Sequence, residues 1–228
     1  MKKLLCTALA LILTCTASVS CGKDKNSGNN LVASPDGGND VNETDMPYGS
    51  TVFQLTPESD DHIKYVTEFD KRYFGGDSET PDLGEIYLIN DYIFSLNNND
   101  HELTKNLFYP GYLEHIVQEN SGQTIDEYLD QFHSSLQSVL GEDFEINFID
   151  ISNCYLEDDE AAESMIKDAD KVLFDFDPSL ASEVTSRKIV EVGGYTSYSS
   201  NGSSCILVDH FESITLHVYQ IGGKYYIV

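Results

Sequence analysis

Basic residues are scarce in this sequence. Lysine and arginine together number 13, against 39 aspartates and glutamates, and the formal net charge is −26. Nucleic-acid binding depends on basic contacts to phosphate, and attraction to an anionic lipid surface also needs positive charge. The composition therefore argues against a nucleic-acid partner and predicts an acidic, well-solvated surface, with recognition of a basic partner as the alternative.

Long apolar runs are also missing. The most prominent one, Leu4–Leu13, is too short to cross a membrane, which takes about 20 apolar residues. It follows Lys2 and Lys3 and leads into a stretch of small residues, which is the layout of a secretory signal. We therefore predict that residues 1–20 are a signal peptide and that the rest of the chain is exported.

The residues that follow specify a mode of anchoring. Ser18-Val19-Ser20-Cys21, followed by Gly22, resembles the lipobox of bacterial lipoproteins, although an aliphatic residue is more usual where Ser18 stands. In that family the cysteine receives a diacylglyceryl group and becomes the first residue of the mature protein. The resemblance implies lipid attachment at Cys21 and a location on the cell membrane facing outside the cytoplasm. The alternative is an ordinary cleaved signal with an incidental cysteine.

Cysteine is sparse after the signal. Cys21, Cys154 and Cys205 are the three that follow residue 20. If Cys21 carries lipid, the other two form an even pair in a compartment that permits disulfides. A Cys154–Cys205 bridge is one expectation, and two buried thiols are the other.

The segment 21–50 has few large apolar residues and is rich in Gly, Asn, Ser and Asp. This composition predicts a disordered acidic tether behind the lipidated cysteine. Flexible-chain statistics give such a tether a reach of about 30 Å, which lifts the following domain off a membrane.

Motifs that carry known chemistry are absent. The sequence has no G-x-S-x-G, H-E-x-x-H or C-x-x-C motif, phosphate-binding glycine loop or dinucleotide fingerprint. No catalytic residue, metal site or cofactor is therefore predicted. Tryptophan is missing too, and 14 Tyr and 11 Phe supply an aromatic content typical of a core.

Helices are predicted over much of the middle of the chain. Residues 51–81 are expected to form an N-terminal helical addition, since Ile63, Val66 and Phe69 recur at helical spacing. Further helices are predicted from Pro81 to the turn at 97–100, and then on either side of Pro110. The clearest helix lies between a Thr124–Glu127 capping box and Gly141.

The remainder favours β-structure. Phe144–Leu156 is rich in β-branched and aromatic residues and predicts a strand, and a helix follows it over about 161–173. The last part, Arg187–Val228, contains three β-rich segments joined by two turns, which predicts a meander.

This order of elements, with Gly223-Lys224-Tyr225-Tyr226 in the last segment, resembles the cystatin-like cone of the nuclear-transport-factor-2 superfamily. It also resembles bacterial lipoproteins that carry such a domain behind a lipobox and tether. The resemblance covers residues 82–228. It implies an α+β fold in which a curved antiparallel sheet of about four strands wraps around a helical layer.

Three residues are candidates for a pocket. His210 and Glu212 share the alternation of the apolar residues around them, so an unbroken strand would place both on the apolar face, where they could act as an acid–base pair. The alternative is a bulge near Asp209–Ser213 that resets the register. His133 lies on the border of the apolar side of its predicted helix, where it is either a ligand-binding or a partly covered surface residue.

These observations lead to a ranked set of functions. The first is a membrane-anchored, non-enzymatic lipoprotein whose domain binds an envelope protein or a small ligand. The alternative is a cone-fold enzyme, similar to isomerases and dehydratases, in which a pocket acid or base acts on a small substrate. A third is a structural part of an envelope assembly.

Overall fold

The structure, a computed structural model, describes residues 52–70, 81–157, 159–160, 162–198, 204–206 and 214–228. Within these residues there are five α-helices: α1 (Leu83–Asn98), α2 (His101–Leu107), α3 (Tyr112–Ser121), α4 (Ile125–Leu140) and α5 (Glu163–Phe176). There are also seven strands: β1 (Val52–Leu55), β2 (Val66–Asp70), β3 (Phe144–Leu156), β4 (Val184–Tyr198), β5 (Ser204–Ile206), β6 (Ile214–Ile221) and β7 (Lys224–Ile227). The predicted α+β class is confirmed.

The strands form one mixed sheet. Its order is β1-β2-β3-β4-β6-β7, and β5 pairs with the far end of β4. Each pairing is antiparallel except that of β2 with β3, which is parallel. The sheet is therefore larger than the four antiparallel strands expected, because an N-terminal hairpin extends it beyond β3. Its wrapping into a cone stays a prediction.

The expected helical addition over residues 51–81 is wrong in the part that the structure describes. That part is the β1–β2 hairpin, and the turn between its strands begins where the Ser59 amide donates to the Thr56 carbonyl at 2.9 Å. The helical spacing of Val66 and Phe69 is coincidental. Burial instead alternates, with Thr67 and Phe69 inside and Glu68 between them half-buried, which is the period of a strand.

Asn90 of α1 fixes the hairpin to the helical layer. Its side-chain oxygen accepts from the Tyr65 amide at 3.2 Å, and its amide group donates to the Thr67 hydroxyl at 2.9 Å. Both Asn90 and Thr67 are fully buried, so these bonds satisfy polar groups that would otherwise be costly to bury.

The strongest local signals in the sequence are confirmed. Thr124 caps α4, with Glu127 completing the capping box, and the helix ends at Gly141, whose φ is +103°. A second capping box, between Asp82 and Glu85, starts α1 just after Pro81. The predicted strand Phe144–Leu156 has the same bounds in the structure.

Helices cover both faces of the sheet. On one face, α1 and α4 pack on residues of β3, β4 and β6 such as Ile149, Val190 and Leu216. On the other, α5 packs on Ile189 of β4 and, together with α3, on Tyr219 of β6. Strand β6 is consequently buried on both faces, whereas the alternation of its residues predicts a single apolar face.

A buried ion pair joins the first of these layers to the sheet. Lys188 of β4 lies 2.7 Å from one carboxylate oxygen of Glu85 and donates to the other at 2.9 Å. The side chains of Glu85 and Lys188 are 1% and 6% exposed. Burial raises the pKa of Glu85, an effect that the hydrogen bond and charge of Lys188 oppose. The pair holds the start of α1 against the middle of β4.

Candidate functional site

Three of the residues singled out in the sequence, Cys21, His210 and Glu212, lie outside the described residues. The hypotheses of lipid attachment and of a His210–Glu212 pair therefore stay predictions, as does the bulge near Asp209–Ser213.

The strand register bears on the Cys154–Cys205 bridge. Cys154 pairs with Val190 of β4, and Cys205 pairs with Thr196, six residues further along the same strand. At about 3.3 Å per residue this offset is roughly 20 Å. The Cα atoms of a disulfide lie no more than about 7 Å apart, so the register does not support the bridge.

His133 packs between secondary-structure elements. Its Nδ1 atom is 3.1 Å from the Leu96 carbonyl, and its ring lies 5.5 Å from that of Phe144. The half-buried imidazole thus fills the junction between α4, the last turn of α1 and the start of β3. It is not among the residues around the cavity described next.

A cavity of about 50 Å³ lies between the helices and the first half of β6. Its lining comes from α1, α2, α3, α4, β6 and β7, and it includes the aromatic residues Tyr92, Phe108, Tyr128 and Phe132. At 10–15 Å³ for each water-sized group, the space holds about three to five such groups. The cavity therefore suits a very small molecule.

The strand pairing explains where the cavity lies. Strand β7 pairs with residues 218–221 of β6, so the preceding half of β6 extends past it. At that point the Val228 amide donates to the His217 carbonyl at 3.0 Å. Thr215, Leu216 and His217 are consecutive and all line the cavity, which places it at the edge of this half-strand that β7 leaves unpaired, rather than on one face.

His217 is the unusual member of the lining. It is 2% exposed, and neither ring nitrogen has a hydrogen-bond partner among the described residues. Burial lowers the pKa of His217 to about 4, so the imidazole is neutral at pH 7. A neutral imidazole has one N–H donor and one acceptor nitrogen, and a molecule that reaches either atom can hydrogen-bond to it.

Tyr128 adds a second polar group. It is 7% exposed, and its hydroxyl likewise has no partner among the described residues. Burial raises the pKa of Tyr128 to about 12, and burial with nearby Tyr128 raises the pKa of Tyr92. Both phenols are therefore protonated at pH 7.

The described lining is uncharged at neutral pH. It contains no aspartate, glutamate, lysine or arginine side chain, and His217 is neutral. Elsewhere in the described ranges, no group of three or more His, Cys, Asp or Glu side chains is placed to hold a metal ion. The described part of the lining can therefore offer hydrogen bonds and apolar contact, but none of its side chains carries a charge that would neutralise an ion.

No family model, curated protein or solved structure matches this chain. Across the described segments, no helix has the length and apolar character needed to span a bilayer.

Sequence reasoning missed His217. If β6 had one apolar face, the alternation of side chains would place Leu216 and Val218 on that face and His217 on the opposite, solvent-facing side. The alternation also places Tyr219 and Ile221, two large apolar residues, on the same side as His217, and this signal would have identified His217 as buried. Together with the amphipathic helix that follows β3, this indicates a strand covered on both faces.

Proposed function

We propose that this protein is an extracytoplasmic lipoprotein whose folded domain binds a small molecule in the cavity beside the first half of β6, without catalysing a reaction. The observation that carries the proposal is the burial of His217 and Tyr128, with their polar atoms unpartnered, in the lining of one cavity. Buried polar groups without partners are rare and each costs about 1–3 kcal/mol, which a ligand that completes their hydrogen bonds would recover.

The composition of the lining supports binding over catalysis. Ligand pockets are mostly apolar with a few polar groups that orient the bound molecule, which matches an aromatic and aliphatic cavity containing one histidine. Acid–base catalysis by histidine commonly uses a carboxylate or other group to orient the ring. The described lining contains no carboxylate, and neither ring nitrogen of His217 has a hydrogen-bond partner among the described residues. The alternative, a cone-fold enzyme, depends on His210 and Glu212.

The membrane location follows from the N-terminal pattern. A diacylglyceryl group on Cys21 would anchor the chain, and the acidic tether would hold the domain off the bilayer. The net charge of −26 supports this arrangement, since an acidic domain is repelled by anionic lipid. The cavity volume of about 50 Å³ favours a small ligand over an envelope protein as the binding partner.

Lipid attachment is tested by labelling. Cells expressing the full chain are grown with a radiolabelled or clickable fatty acid, and the wild type should incorporate it. Cys21→Ala should lose all label, while Cys15→Ala, a matched change within the signal, should keep it. Equal labelling of the wild type and Cys21→Ala would contradict attachment at Cys21.

Ligand binding is tested by blocking the cavity. Ligand-observed NMR with a panel of neutral, anionic and cationic fragments should detect binding of at least one fragment to the wild type. Leu129→Phe places a larger side chain in the lining and should abolish that binding. We expect the overpacking to cost about 1–3 kcal/mol of stability.

The control makes the same change elsewhere on the same helix. Leu136 is also on α4 and buried in the main core, but it does not line the cavity. Leu136→Phe should therefore cost similar stability and still bind the fragment. Equal binding by Leu129→Phe and the wild type, or failure of the whole panel with wild type, would contradict the proposed function.

A further inference from the structure

The polar atoms of the cavity restrict what it can bind. His217 supplies one donor and one acceptor, and the Tyr128 hydroxyl can act as either. All three atoms (two ring nitrogens and one hydroxyl oxygen) lack partners among the described residues. A hydroxyl group both donates and accepts, so it can bond to any one of these atoms.

The charge of the lining restricts the ligand further. No aspartate, glutamate, lysine or arginine lies among the described lining residues, and buried His217 is neutral at pH 7. Transferring a carboxylate or an ammonium group into such a site would leave its charge unpaired, which is far more costly than burying a hydroxyl that is hydrogen-bonded. A neutral molecule is thus strongly favoured over either kind of ion.

The rest of the lining is mainly apolar, and the cavity is small. Besides the polar groups, the lining consists mainly of leucine, isoleucine and aromatic side chains, including Leu113, Ile116 and Phe132. These contact alkyl groups well. A volume of about 50 Å³ corresponds to a molecule of about three to five non-hydrogen atoms.

We infer that the cavity is selective for a short, neutral alcohol, whose hydroxyl is hydrogen-bonded by His217 and Tyr128 and whose alkyl chain contacts the α3–α4 side. This inference rests on the proposed function and specifies its ligand class. It makes His217 and Tyr128 the residues that determine specificity.

Four probes of nearly equal size separate the classes. 1-Butanol carries the hydroxyl, 1-chlorobutane replaces it with a group that cannot donate, and propionate and butylammonium carry opposite charges. In protein-observed NMR titrations at pH 7, 1-butanol should bind the wild type at least about tenfold more tightly than either ion. Binding should shift the methyl signals of Leu113 and Leu129.

Single substitutions test the hydrogen bonds. Tyr128→Phe removes the hydroxyl and keeps the ring, and it should weaken 1-butanol binding about threefold to tenfold. His217→Phe should weaken it at least as much. Neither change should reduce the affinity for 1-chlorobutane, because that probe makes no such bond.

A second buried tyrosine is a matched control. The Tyr112 hydroxyl is also buried without a described partner, but Tyr112 lies in the neighbouring core and not in the cavity lining. Tyr112→Phe should leave the affinity for 1-butanol unchanged. It thus separates the loss of a ligand contact from the general effect of removing a buried hydroxyl.

The outcomes divide cleanly between the two proposals. Tighter binding of propionate or butylammonium than of 1-butanol would overturn the inference that the ligand is neutral, but the cavity would remain a binding site. An equal loss of 1-butanol and 1-chlorobutane binding in Tyr128→Phe and His217→Phe would overturn the hydrogen-bonding role. Failure of all four probes to bind, together with the failure of the fragment panel, would overturn the ligand site itself.

Discussion

Replacing Lys188 by methionine should lower the free energy of unfolding by about 3–5 kcal/mol. The substitution leaves the carboxylate of Glu85 nearly fully buried, 1% exposed, without its positive partner. Glu85 also closes the capping box of α1 by accepting from the Asp82 amide at 3.0 Å, so its displacement would disturb the start of that helix. Urea denaturation at pH 7, followed by circular dichroism, measures the change.

Two further variants serve as controls for Lys188→Met. The double variant Glu85→Leu/Lys188→Met removes both charges and should recover most of the lost stability, because an apolar pair of similar volume can replace a buried ion pair. Lys105→Met breaks pairs with Glu102 and Asp126, which are 84% and 60% exposed, and should cost less than about 1 kcal/mol. If Lys188→Met cost no more than Lys105→Met, the buried pair would not be holding α1 on the sheet.

The second large effect is a loss of stability at acid pH that arises from His217. Burial keeps the pKa of His217 near 4 in the folded protein, while an unfolded histidine titrates near 6.5. Between these values the unfolded chain binds a proton that the folded chain does not, so stability must fall as the pH falls. This linkage contributes about 3 kcal/mol to the free energy of unfolding. The contribution is fully present above pH 6.5 and is lost as the pH falls to about 4.

The pH effect is isolated by a variant that cannot titrate. His217→Gln keeps a polar side chain, and between pH 7 and pH 4 its free energy of unfolding should fall by about 3 kcal/mol less than that of the wild type. Carboxylates contribute to both proteins and cancel in the difference. Identical pH profiles would mean that the imidazole is charged as readily in the folded protein as in the unfolded chain, and the cavity would not be the apolar, uncharged site described above.

Local signals predicted the helices and the long strands well. The Thr124–Glu127 capping box, Gly141 and the β-branched run from Phe144 are each sufficient to specify the element that they begin or end. The N-terminal hairpin was missed because its identity depends on partners far along the chain. Val66 to Phe69 form a strand because β3 supplies a parallel neighbour and Asn90 of α1 bonds to Thr67.

The cavity was harder to predict than the fold. Its lining converges from four helices and two strands, so no short segment carries a recognisable pattern. The one apparent conflict in the sequence, at His210 and Glu212, drew attention to a segment outside the described residues. His217, seven residues beyond His210, looked like an ordinary polar residue on an outer face. It becomes unusual once α5 and α3 are seen to cover that face of the sheet.

The central claim is that the cavity beside β6 receives a small neutral molecule, and a crystal structure of the wild-type domain with 1-butanol tests it most directly. The account predicts one alcohol molecule in the cavity, with its hydroxyl within hydrogen-bond distance of His217 or Tyr128 and its chain against Leu113 and Leu129. Ordered waters bonded to His217 and Tyr128 that the alcohol does not displace, or a cavity closed by the surrounding side chains, would contradict it.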